Sequence, residues 1–123
     1  MRFTLESGTR VNTVRAYSDR QLRIGETVVL RSCIVTAERL ITAWPPERFE
    51  ALEEAHLEEL FALEPQVVLI GTGARQRFAP APLRAAFNAR GIGLEVMDLG
   101  AACRTFNILV QEDRRVAAAL FFD

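Results

Sequence analysis

A chain of 123 residues, half of them hydrophobic and a quarter charged, has the size and composition of one globular domain with a core of its own, too short for two. A net charge of −1 supplies no global field to draw in nucleic acid or an anionic membrane. All fifteen basic residues are arginine, so no reaction that needs a lysine, a Walker-type phosphate loop included, is open to it.

The residues at 11–17 (VNTVRAY) alternate apolar and polar, as in a half-buried strand. Ser18, Asp19 and Arg20 make a turn, residues 21–24 a second strand, and Gly25 and Glu26 a hairpin into residues 27–32. The runs at 33–36 and 39–44 (RLITAW) are again β-rich, so short strands dominate the first third of the chain. Pro45 and Pro46 end that pattern and suit a helix start. Residues 47–63 are mostly strong helix formers, but their apolar positions fall in two phases: Phe49 and Leu52, then Leu57, Leu60 and Phe61. This predicts two short helices, or one broken near Ala55. From Glu47 to Glu64 seven carboxylates face a single Arg48, which reads as a solvated acidic face or a docking surface for a basic partner.

After Pro65 the pattern becomes alternating β and α. Residues 67–70 (VVLI) form a continuous apolar run, typical of a strand covered on both faces. Gly71, Thr72 and Gly73 turn the chain. Helices are predicted at 82–90, with Gly91 as the cap, and at 99–110; strands at 92–97 and 114–122. A β-α-β-α-β run of this kind implies right-handed crossovers. The expected fold is α/β in three layers, with a mixed, mostly parallel central sheet and N-terminal β-hairpins, in a single domain spanning the chain.

The turn at Gly71, Thr72 and Gly73 is the most informative place for chemistry. Ligands of open α/β sheets bind beyond the carboxyl ends of the strands, where backbone N–H groups converge. Two glycines let the backbone approach a ligand, Thr72 adds a hydroxyl, and Arg75 and Arg77 can clamp a carboxylate or phosphate. Gln76 stands where a dinucleotide fingerprint needs glycine or alanine, and Pro80 and Pro82 delay the following helix. The turn therefore reads either as a weak anion or polar-ligand site or as a structural tight turn. Thr105 and Asn107 are polar residues in an apolar helical pattern, placed either to face that turn or to satisfy the helix ends. Glu95 and Asp98 fall near the end of a strand, where a carboxylate pair could do acid–base work, but Asp98 directly precedes the second helix and reads first as its N-cap.

Cys33 and Cys103 lie in apolar runs with no CxxC spacing, so reduced, buried thiols are expected. His56 is the single histidine, and no metal-ligand cluster or nucleophile–base spacing surrounds it. The expected cofactor and metal content is therefore none, and the residues spell out no catalytic reaction. Met1 to Gly8 lacks the apolar stretch of a secretion signal and no segment reaches the length of a membrane span, which sets the expected location in a bacterial cytoplasm.

Several phrases together carry a family resemblance: VVLIGTG at 67–73, Gly91 and Ile92 followed by EVMD at 95–98, Ala101 and Ala102 with Thr105, Phe106 and Asn107, and RRVAAAL at 114–120. They resemble a family of small α/β domains of unknown function that includes the mitochondrial complex I assembly factor 3 and an adipogenesis-associated domain protein. The resemblance implies a three-layer fold with a mixed sheet. It also implies a non-catalytic role through protein–protein contact, with respiratory complex subunits or another assembly factor as partners. It transfers no catalytic residue.

Overall fold

The structure, a computed structural model, describes residues 11–123. The reading of Met1 to Gly8 lies outside them. Strands β1 (Val14–Tyr17), β2 (Leu22–Ile24) and β3 (Thr27–Val29) form a small antiparallel sheet of two successive hairpins. Strands β4 (Cys33–Thr36), β5 (Leu40–Ile41), β6 (Val67–Thr72), β7 (Gly93–Met97) and β8 (Val116–Phe121) form the main sheet, in the order β5-β4-β8-β6-β7. The β6 strand pairs in parallel with β7 and β8, while β4 pairs antiparallel with β5 and β8. Only β4 therefore runs against the other four, and the sheet is mixed.

The sheet separates two apolar layers, and the alternation of side chains decides which residue serves which layer. Along β8, Val116, Ala118 and Leu120 point to one layer and Ala117, Ala119 and Phe121 to the other. The first layer is closed by helix α3 (Leu99–Gln111), which buries Leu99, Ala102, Cys103, Phe106 and Val110, and by the inward residues of the small sheet. The second is closed by helix α2 (Ala81–Ala89) through Leu83 and Phe87, and by the segment that contains Trp44 and helix α1 (Leu57–Phe61). Burying one Phe or Leu side chain stabilises the fold by about 1.5–3 kcal/mol. Three alanines in the middle of β8 keep the sheet thin enough for both layers to close on it.

The chain leaves β6 for β7 through α2, then crosses back over β6 to β8 through α3. Crossovers of one hand that travel in opposite directions must lie on opposite faces of the sheet, as α2 and α3 do.

Two expectations need correction. The acidic segment is not mainly α-helical: it holds 3-10 turns at Phe49–Ala51 and Glu54–His56 before the five-residue α1. The break falls at Leu52 and Glu53, both extended, because Phe49 and Leu52 must reach the core from one phase and Leu57 and Leu60 from another. The β-rich run at 39–44 is a strand only at Leu40–Ile41. Trp44 leaves the sheet to pack on Phe121, with ring centroids 5.4 Å apart and its indole N–H donated to the His56 carbonyl.

Candidate functional site

The β6 strand delivers Gly71, Thr72 and Gly73 to the carboxyl end of the sheet. With β6, β7 and β8 taken as first, second and third, the spatial order is 2-1-3, and the switch point lies between β6 and β8. A crevice of about 260 Å³ opens at this end of the sheet, lined by Gly73 and Ala74 after β6, Phe122 and Asp123 after β8, the start of α3, and Tyr17.

Each residue of the turn has a distinct task. Gly71 lets α3 approach: a Cβ there would stand 3.0 Å from the Ala102 Cβ and 3.2 Å from the Leu99 Cα. Thr72 is buried, and its hydroxyl donates to the Arg75 carbonyl at 2.7 Å and accepts from the Arg77 amide at 3.1 Å. That hydroxyl knits the loop to itself. Gly73 has φ of +99°, a region in which side-chain-bearing residues are strained, and its carbonyl accepts from the Leu99 amide at 2.8 Å. The turn and the start of α3 are thus locked together.

The polar groups at the corner are engaged with each other. The Asp123 carboxylate accepts from the Ala74 amide at 3.1 Å and lies 3.7 Å from the Arg77 guanidinium, which also pairs with Glu50. Arg75 is exposed and makes no ion pair among the described residues. Asp98 caps α3, its carboxylate accepting from the Ala101 amide at 2.8 Å, while Glu95 is exposed on the edge strand β7. The structure does not make an acid–base pair of them.

Asn107 is not brought to the turn. It lies eight residues into α3 from Leu99, about 12 Å along the helix. Its side chain accepts from the Val14 amide at 2.8 Å and donates to the Val14 carbonyl at 2.9 Å, as a neighbouring strand would. It fastens the small sheet to α3. The Thr105 hydroxyl reaches the Met97 sulfur at 3.6 Å. His56 sits at the acidic segment, where its Nδ1 accepts from the Glu53 amide at 3.0 Å and closes a capping box.

The sequence reading missed Tyr17, Arg104 and Asp123. Arg104 donates to the Tyr17 hydroxyl at 2.6 Å beside the start of α3, and the Tyr17 ring covers Gly100. The available signal was the small residue one turn before Arg104 on α3. Asp123 gave none, since its contact with Ala74 spans 49 positions.

Cys33 and Cys103 are both buried free thiols. Burial pushes the Cys33 thiol up to about 12, helped by the neighbouring Cys103. Burial likewise raises Cys103 to about 12, against the lowering effect of Arg104 and with a further raise from Asp98. Neither is a nucleophile at neutral pH. Among the described residues there is no group of three potential metal ligands, and no helix is long and apolar enough to cross a membrane.

Comparison with known proteins gives consistent relatives. A family model described as "Protein of unknown function (DUF498/DUF598)" matches residues 14–121. The chain is 35% identical over 109 residues to a Danio rerio protein named NADH dehydrogenase (ubiquinone) 1 alpha subcomplex assembly factor 3, covering 87% of this chain and 62% of that one. The chain thus spans under two thirds of that relative's length. It is similar to the crystal structure of a Bordetella parapertussis protein, with a TM-score of 0.87, 35% identity, and coverage of 95% of this chain and 100% of the other. It is also similar to the NMR structure of a Xanthomonas campestris protein, with a TM-score of 0.85, 38% identity, and coverage of 98% and 92%.

Proposed function

Because the chain belongs to the DUF498/DUF598 family, we propose that it works as an assembly-type protein, binding a protein partner rather than turning over a substrate. The supporting observation is the 35% identity to a protein named as a complex I assembly factor, which extends over 87% of this chain. Subunits of a respiratory complex, or another assembly factor, are the partners this reading favours.

The acidic segment is the surface best suited to the role. Phe49, Leu52, Leu57 and Leu60 turn inward and leave Glu47, Glu54, Glu58 and Glu59 exposed, with no ion pair among the described residues. Glu50 and Glu53 differ, since Glu50 holds Arg77 and Glu53 caps a 3-10 turn. A surface of this kind sets association rate and salt sensitivity more than final affinity. Reversing Glu47, Glu54, Glu58 and Glu59 to lysine should lower partner recovery from the native host and the level of assembled respiratory complex, with thermal unfolding unchanged. Unchanged recovery removes this surface. A turnover abolished by Thr72→Ala or Arg75→Ala overturns the reading itself.

A second reading, favoured by the carboxylate already seated between Ala74 and Arg77, makes the corner a weak anion site. There the backbone at Gly73 and the Arg75 side chain would take an anion in place of Asp123, while Gly71 and Thr72 hold the loop. Titration with phosphate, acetate and nucleotides, followed by amide NMR, tests it. Absence of shifts at residues 71–77 ends it.

A further inference from the structure

A larger cavity, of about 370 Å³, opens at the end of the main sheet opposite the Gly73 turn, where β6 and β8 begin. Three turns wall it: the one joining β4 to β5, the one after α1, and the one joining α3 to β8. Its size falls at the lower end of the range for small-molecule sites.

The lining is divided by chemistry. Pro65, Val110 and Val116 are buried and Leu63 is half-buried, which gives the cavity an apolar side. Arg39, Arg114 and Arg115 are exposed around it, and none of them makes an ion pair among the described residues. The Arg115 Nε donates to the Glu64 carbonyl at 3.2 Å, which fixes one guanidinium at the turn after α1. Glu38 and Asp113 also line the cavity. Three arginines against two carboxylates leave a formal charge of +1.

Glu64 and Asp113 are the two non-glycine residues with positive φ among those described, at 53° and 63°. Both close a helix beside this cavity, and each is followed directly by a residue that lines it. A left-handed residue is an ordinary way for a helix to end, and here the two fix the turns that carry Pro65 and Arg114 to the cavity.

We infer that this cavity binds a small monoanion with an apolar tail, of the class of short aliphatic monocarboxylates. The carboxylate meets the arginine rim and the tail lies on Val110 and Val116. A polyanion is disfavoured by Glu38 and Asp113, and a cation by the three arginines. The site shares no residue with the Gly73 corner, and of the acidic segment only Ala62 and Leu63 at its end reach it, none of its exposed carboxylates.

The test is titration of the full chain with hexanoate, acetate, inorganic phosphate and hexylammonium, read from the amide signals of Arg39, Arg114 and Val116. Hexanoate is expected to give saturable shifts there, with weaker binding of acetate, phosphate and hexylammonium. The exposed pair Arg39→Gln and Arg114→Gln should weaken hexanoate by about tenfold, with thermal unfolding unchanged. The inference is overturned by absence of saturable hexanoate shifts at these amides, by hexylammonium binding as well as hexanoate, or by full affinity in the double variant.

Discussion

Replacing either glycine of the β6 turn by alanine should destabilise the protein, for different reasons that one experiment separates. At Gly71 the obstacle is space. A Cβ would lie 3.0 Å from the Ala102 Cβ, 3.2 Å from the Leu120 Cδ2 and 3.2 Å from the Leu99 Cα, against an optimal carbon–carbon separation of about 3.5–4.0 Å. Helix α3 would have to retreat by a few tenths of an ångström. Its start is tied down by the Asp98 cap and by the Leu99–Gly73 hydrogen bond. Overpacking of this kind costs about 1–3 kcal/mol. At Gly73 the obstacles are backbone and side chain together. Holding alanine at φ of +99° costs about 1–3 kcal/mol. Its Cβ would also stand 2.2 Å from an Asp123 carboxylate oxygen. Asp123 must swing away and release the Ala74 amide, a loss of about 0.5–1.5 kcal/mol. Urea unfolding followed by Trp44 fluorescence is a direct assay, since Trp44 is the single tryptophan and is fully buried. In an Asp123→Ala background the Gly73→Ala penalty should shrink by about 0.5–1 kcal/mol, while the Gly71→Ala penalty stays the same. Wild-type stability of Gly71→Ala, to within about 0.5 kcal/mol, would refute the close approach of α3 to β6. Full additivity of Gly73→Ala with Asp123→Ala would refute the account of the corner.

Ellman-type titration of the native protein should find Cys33 and Cys103 unreactive until denaturant is added. Because both thiols are raised to about 12 in the fold, the unfolded chain loses these protons first, near the ordinary thiol value of about 9. The thiols' contribution to stability is therefore intact below about pH 9 and falls as the pH rises towards 12, by up to about 1.4 kcal/mol per pH unit for each. A Cys33→Ala variant whose stability falls as steeply as wild type over that range would contradict this. Asn107→Ala should cost about 1–3 kcal/mol and raise hydrogen exchange at the Val14 amide, which loses its acceptor; unchanged exchange there would mean the small sheet is held by packing alone. Glu64→Gly should stabilise by up to about 1 kcal/mol, since φ of 53° suits glycine and the carbonyl that receives Arg115 is kept. A loss of stability in thermal unfolding would assign the Glu64 side chain a task of its own.

The order of strands and helices was legible from residue 65 onward because its signals are local. The apolar run ending in Gly71, the cap at Asp98 and the φ of +68° at Gly91 each act within a few residues. The same holds for the burial of both cysteines, set by their apolar neighbours. The acidic segment was read as helix because its residues favour one. The core overrode that preference by drawing Phe49, Leu52, Leu57 and Leu60 inward from positions no single α-helix can align. The sequence showed Asn107 as a polar residue in an apolar pattern but not its partner, since Val14 lies 93 positions away. Position in the sheet was hidden for the same reason: nothing local to β8 says that it lies between β4 and β6. Burial of both its faces calls for a layer above and below, and pairing of its buried backbone N–H and C=O groups calls for a strand on each side, which β4 and β6 supply. Propensity and periodicity act over a turn or a strand, so the sequence by itself decided which elements form. Which element each one meets depends on the surfaces left uncovered by the rest, and only the tertiary structure decided that.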